Sequence, residues 1–223
     1  MKRNALVLVA VVTLVVLGLV SYRIYDAQLT RIKITALLSD DMERLKGALQ
    51  AQAKGVAVAD AEAHATAAEA HVAALRSLKT SSVTHLADAA DDALVASREI
   101  MRRQVNIERS RRGLLLGVDS LSRHMRTDHG AKDWPREAIR IKGSVDKDLR
   151  DYRIAVESYA TLLDSFPASQ ARLAPFVPPS LLIEPGLISD ARQQALDAYK
   201  STDQNIKKVV DISAYRDAAA SHR

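Results

Sequence analysis

The chain contains no cysteine. That absence excludes disulfide staples, thiolate metal sites and cysteine nucleophiles together, and it leaves the compartment open, since an oxidising space does not demand disulfides. Aromatic residues make up only 4% of the chain, which argues against sheets, whose cross-strand pairs draw on aromatic and β-branched side chains. Eight glycines spread thinly over 223 residues leave no phosphate-cradling loop. Walker A, Gly-x-Gly-x-x-Gly, Gly-x-Ser-x-Gly, His-Glu-x-x-His and EF-hand patterns are all missing. Proline is confined almost entirely to one stretch, Pro167, Pro175, Pro178, Pro179 and Pro185, so helix can run unbroken through most of the rest.

Alanine, leucine, valine and arginine dominate what remains, and these residues favour an all-α fold with helix packed on helix. The length allows one domain plus an anchor. Net charge is +5, but the 27 acidic residues are interspersed with the 32 basic ones. Mixed charge of this kind reads as a solvated helical surface rather than a dedicated polyanion site, and nucleic acid is not an expected partner.

The head, residues 1–4, is basic. Residues 5–25 then form an apolar run of about 31 Å if helical, which matches a hydrocarbon core of about 30 Å. Tyr22 and Tyr25 stand where interfacial aromatics belong, and Arg23 can snorkel. A cleaved signal peptide is the competing reading, but residues 18–23 offer no Ala-x-Ala-like cleavage pair. The expectation is a retained, single-pass signal anchor in the inner (plasma) membrane. Lys2 and Arg3 on one side and Arg23, Arg31 and Lys33 on the other leave orientation undecided by charge alone. The export-like head favours an extracytoplasmic (periplasmic) body.

Residues 26–166 are expected to form a bundle, bringing the helices to four or five with the C-terminal one. The first helix continues the anchor through Leu29, Ile32, Leu38, Met42, Leu45 and Leu49 to about Ala53, with Gly55 turning the chain after it. A second, alanine-rich helix follows from Val58 to about Leu78, with a falter around residues 79–82. The third pattern is the clearest: Val83, Leu86, Ala90, Ala93, Ser97, Ile100, Gln104, Ile107, Arg111, Leu114, Val118, Leu121 and Met125 repeat in alternating three- and four-residue steps. That is a coiled-coil-like seam over residues 83–125, about 65 Å long. Ser97, Gln104 and Arg111 interrupt it in one column, as polar residues do when they fix register with a partner or a second copy. Arg98, Arg102, Arg109 and Arg112 lie within a narrow arc of the other face, as a solvated face or a basic stripe for an anionic partner. A fourth helix carries Val145, Leu149, Tyr152, Val156, Tyr159, Leu163 and Phe166 and is expected to close at Pro167. Residues 167–186 then form a proline-rich apolar loop. Phe176, Leu181 and Leu182 make it either a cap over the bundle end or a partner contact. The last helix and tail take residues 187–223.

Chemistry is harder to find. His64, His71 and His85 share a heptad column, but His64 and His71 stand about 10.5 Å apart along a helix, too far to share one ion. The adjacent carboxylates Asp40-Asp41 and Asp91-Asp92 point about 100° apart and form no dyad. The expectation is therefore a protein with no catalytic residue, metal or cofactor: a non-enzymatic interaction or sensing module acting through a partner membrane or envelope protein, or through self-association. The interaction candidates are Ser97, Arg98, Arg102, Gln104, Arg109, Arg111, Arg112, Phe176, Leu181 and Leu182. The alternative is a cytoplasm-facing tethered protein whose Arg stripe binds anionic lipid or nucleic acid. A metal or hydrolytic enzyme without a recognisable motif is a third and weaker reading.

Overall fold

The computed structural model describes residues 2–58, 60–126 and 134–209, with side chains from residue 13 onward in these segments, residue 209 excepted. The described residues form five α-helices, α1 (Lys2–Ala53), α2 (Ala61–Ser77), α3 (Thr84–Arg126), α4 (Trp134–Leu173) and α5 (Pro185–Val209), with one 3₁₀ turn at Pro179–Leu181. The fold is all-helical, as alanine and leucine in place of aromatics dictate.

The helices run up and down. α2 returns along α1 after a turn in which Gly55 N–H reaches the Gln52 carbonyl at 2.9 Å and Val56 N–H reaches the Ala51 carbonyl at 3.0 Å. This is the doubly bonded helix end that needs a left-handed residue, and Gly55 supplies it with φ 67°. α3 antiparallels α2 through Arg76–Asp91 and Arg102–Glu69. α4 antiparallels α3, from Arg172–Asp92 at one end to the stacked His124 and Trp134 rings at the other. α5 returns along α4 through Arg192–Asp164 and the edge-on Tyr152–Tyr199 pair.

α3 with α4 is the most extensive pairing. Ile34, Leu38, Leu45 and Leu49 of α1, Val72 and Leu75 of α2, Leu94, Ile100, Met101, Leu114 and Leu121 of α3, Val145, Tyr152, Tyr159, Leu163 and Phe166 of α4 and Ala191 and Ala195 of α5 fill one continuous core. Residues 78–83 separate α2 from α3, so the alanine-rich segment and the seam are two helices. α1 ends at Ala53, and Glu62 near the start of α2 reaches Arg109. The half beyond is therefore built from α3, α4 and α5 alone.

Two sequence expectations need correction. α4 does not close at Pro167 but carries that proline inside it and runs on to Leu173. Proline removes one backbone N–H and crowds the carbonyl of Leu163, at about 3 kcal/mol. Continuing the helix buries Gln170 and Leu173 beyond it, and that burial offsets the loss. The stretch 167–186 is accordingly only in part a loop, and α5 begins at Pro185, earlier than expected, because proline suits a first helical turn.

α1 is continuous from Lys2, as the lack of breakers predicts. Among the described residues, however, no helix is long and apolar enough to cross a membrane. The expected span of residues 5–25 falls partly on residues 5–12, whose side chains lie outside the described set, so the fold lends the transmembrane and signal-anchor expectation no support of its own. Residues 127–133 between α3 and α4, which include His129 and Gly130, and the part of the expected last helix and tail beyond residue 209 also lie outside the described residues.

Candidate functional site

The seam of α3 faces inward. Leu86, Ala90, Ala93, Ser97, Ile100, Gln104, Ile107, Leu114, Leu121 and Met125 are all buried, covered by α2 and α4 of the same chain. Two of its three polar interruptions are therefore interior. Gln104 Nε2 donates to Tyr159 Oη at 3.0 Å, joining α3 to α4. Burial pushes the Tyr159 phenol far above its usual range despite that bond. Ser97 is fully buried beside Asp41 of α1. Arg111 is exposed instead, near enough to the Tyr152 phenol to favour its ionised form against the burial that raises its pKa.

The basic stripe is largely paired. Arg98 meets Glu99 at 2.9 Å, Arg102 meets Glu69 at 2.9 Å and Glu99 at 3.6 Å, and Arg109 meets Glu62 at 3.6 Å. Arg112 is exposed. Carboxylates from α2 thus stand along the stripe, and the groove of about 580 Å³ between the helices is lined by both signs. Such exposed pairs contribute little stability each, but they cancel most of the positive field an anionic ligand would need.

Phe176, Leu181 and Leu182 are half-buried and pack on the core. Gln170 holds the segment from below: its Nε2 donates to the Ile183 carbonyl at 3.2 Å, and the Ile183 N–H donates to its Oε1 at 2.6 Å. These residues cap the bundle end where α1 enters, and Arg31 of α1 reaches the Phe176 carbonyl at 3.4 Å.

The polar cluster with the most concentrated chemistry is one the sequence reading set aside. Asp40 and Asp41 do diverge around α1, as adjacent helical residues must, so that Asp40 is exposed and Asp41 is buried completely. His71 of α2 enters between them, its side chain 14% exposed, with Nε2 3.0 Å from Asp40 Oδ2 and Nδ1 3.0 Å from Asp41 Oδ1. A bond from Arg44 at 3.0 Å holds the Asp40 carboxyl below its usual range, while burial pushes Asp41 up. Ser97 lies by the same carboxylate and favours its ionised form, yet neither Ser97 Oγ nor Asp41 Oδ2 completes a hydrogen bond of good geometry among the described residues. Beside the cluster opens a mainly apolar groove of about 430 Å³, bounded by Lys33, Leu37, Asp40, His71, Ala74 and Leu78.

A signal for this cluster existed. Asp41 falls on the buried stripe of α1 between Leu38 and Leu45, where a carboxylate needs a partner. Serine, histidine and aspartate are the residue types of a nucleophilic triad, but both His71 nitrogens face carboxylates and Ser97 is inaccessible, so no base addresses the hydroxyl. Among the described residues no three histidine, aspartate or glutamate side chains gather so as to hold a metal ion.

The other conspicuous feature is the start of α1. Leu14, Val15, Val16, Leu17, Leu19 and Val20 are all exposed, Leu14 by 70% and Leu17 by 57%, followed by Tyr22, Ile24 and Tyr25. Six such side chains within seven residues point all round the helix, so this is an apolar rod rather than an amphipathic stripe. Thr30 is the first described residue of α1 to be buried.

The chain matches no protein-family model, no curated protein and no solved structure.

Proposed function

We propose that this chain is a membrane-tethered, non-enzymatic helical module that works by contact with another membrane or envelope protein. The observation that carries the reading is the rod of exposed apolar side chains at the start of α1, continuous with the helix that enters the core. Burying each such side chain is worth about 1.5–3 kcal/mol, and a soluble surface does not leave so many uncovered in one place. The apolar run of the sequence through residues 5–25 extends that rod to the thickness of a bilayer, and Tyr22 and Tyr25 stand at its exit. The body is taken to be extracytoplasmic. The cytoplasmic alternative gains nothing from the Arg stripe, whose guanidinium groups mostly meet glutamates.

Within this reading the seam is not the surface for a second copy, because its apolar members are covered by the chain's own helices. In cells making the full chain, alkaline carbonate should leave it in the membrane pellet, and a reporter fused after residue 223 should be active only outside the cytoplasm. Release into the carbonate supernatant would sink the tether. A reporter active in the cytoplasm would reverse the orientation.

A further inference from the structure

His71 sits where a neutral imidazole cannot satisfy its surroundings while both carboxyls are ionised. A neutral ring has one N–H, yet both nitrogens lie 3.0 Å from carboxyl oxygens. With both carboxyls ionised, one contact would set a nitrogen lone pair against an anionic oxygen. Both contacts close only when the three groups share two protons, either as an imidazolium between two carboxylates or as a neutral ring that donates to Asp40 and accepts from a protonated Asp41. The geometry is the same in either case. Because Asp41 is completely buried, losing one of the two leaves an uncompensated charge inside the α1–α2–α3 junction.

We propose that Asp40, Asp41 and His71 form a two-proton latch that docks α2 on α1, and that releasing one proton loosens α2 from the helix bearing the exposed apolar rod. The remaining hold on α2 is light: its buried side chains are Ala65, Ala68, Val72 and Leu75, alanine buries little area, and its other links are exposed ion pairs to α3. The charged groups around the latch are Lys33, Asp40, Asp41, Glu43 and Arg44 from α1 and His71 from α2, while α3 presents the uncharged Ser97.

The two carboxyls act in opposite directions. Asp41, raised by burial, contributes to docking while it keeps its proton, and that contribution is lost as pH rises through its folded value. Asp40, lowered mainly by Arg44, contributes above its unfolded value and is lost only as pH falls through its depressed one. Docking therefore weakens on the alkaline side. The latch stands whether or not the rod enters a bilayer, so its test is independent of the tether.

The chain lacks cysteine, so spin labels can be placed by Lys46→Cys on α1 and Ala70→Cys on α2 in the full chain in detergent micelles. Between pH 5 and pH 9 a second, longer label distance should grow several-fold. Asp41→Asn gives Nδ1 a permanent N–H donor, and should keep the short distance throughout. A flat profile in the parent, or an Asp41→Asn profile as steep as the parent's, overturns the latch. Should Asp41→Asn lose its helix signal at pH 5, Asp41→Ser takes its place. Serine can donate to Nδ1 and does not titrate, so a pH response as steep as the parent's would overturn the proposal equally.

Discussion

Gln104 and Tyr159 meet in the middle of the α3–α4 interface, each buried on its own helix and each the other's hydrogen-bond partner. Removing one partner leaves the other unsatisfied in a low-dielectric interior, which costs about 1–3 kcal/mol, whereas removing both restores an apolar contact. Gln104→Leu and Tyr159→Phe should each lower the urea midpoint, and the double variant should lose clearly less than the sum of the two. The same phenol gives the fold an alkaline limit. The folded state holds the Tyr159 proton well above the ordinary value of 10.0, and Tyr152 is shifted the same way. The unfolded chain releases these protons first, so their contribution is intact below pH 10.0 and lost as pH rises above it. The midpoint should fall between pH 9 and pH 11, and Tyr159→Phe should fall less steeply.

At the scale of elements, α4 carries a local conflict. Pro167 is exposed within the helix and leaves the Leu163 carbonyl without its helical donor. Because Pro167 is exposed, Pro167→Ala should stabilise the protein by about 1–3 kcal/mol, read as a higher thermal midpoint. An unchanged or lower midpoint would mean that the proline shapes α4 so that Gln170 meets Ile183. The opposite case is α2, whose own residues make good helix but little core. It depends on Arg76, Glu69, Glu62 and His71 reaching its neighbours.

At the scale of the molecule, α1 joins two environments. Its 52 residues span about 78 Å, with the stretch from Thr30 onward entering the bundle and residues 13–25 exposed outside it. Charges placed in the exposed stretch should therefore act on partitioning and not on folding. A lysine in the middle of a membrane-spanning helix costs about 2.5–3.5 kcal/mol. The full chain bearing Leu14→Lys and Leu17→Lys should float with lipid vesicles at least tenfold less than the parent, with its urea midpoint unchanged. A fall in the midpoint would show that the rod packs against the body.

Sequence alone determined the features that depend on composition and period: an all-helical chain without disulfides, α1 unbroken to Ala53 with Gly55 after it, and the inward face of α3 from Leu86 to Met125. These follow from backbone propensity and side-chain spacing along one helix, which neighbours in the chain set. Tertiary structure decided what meets across helices. It turned the seam toward α4 rather than a second copy, laid glutamates of α2 beside the arginines of α3, and carried α4 past Pro167 because Gln170 and Leu173 had burial to gain. It also brought His71 between two carboxylates thirty and thirty-one residues away. A period along α1 or α2 says which face is buried, but only the packing of one face on another says whose proton fills the gap.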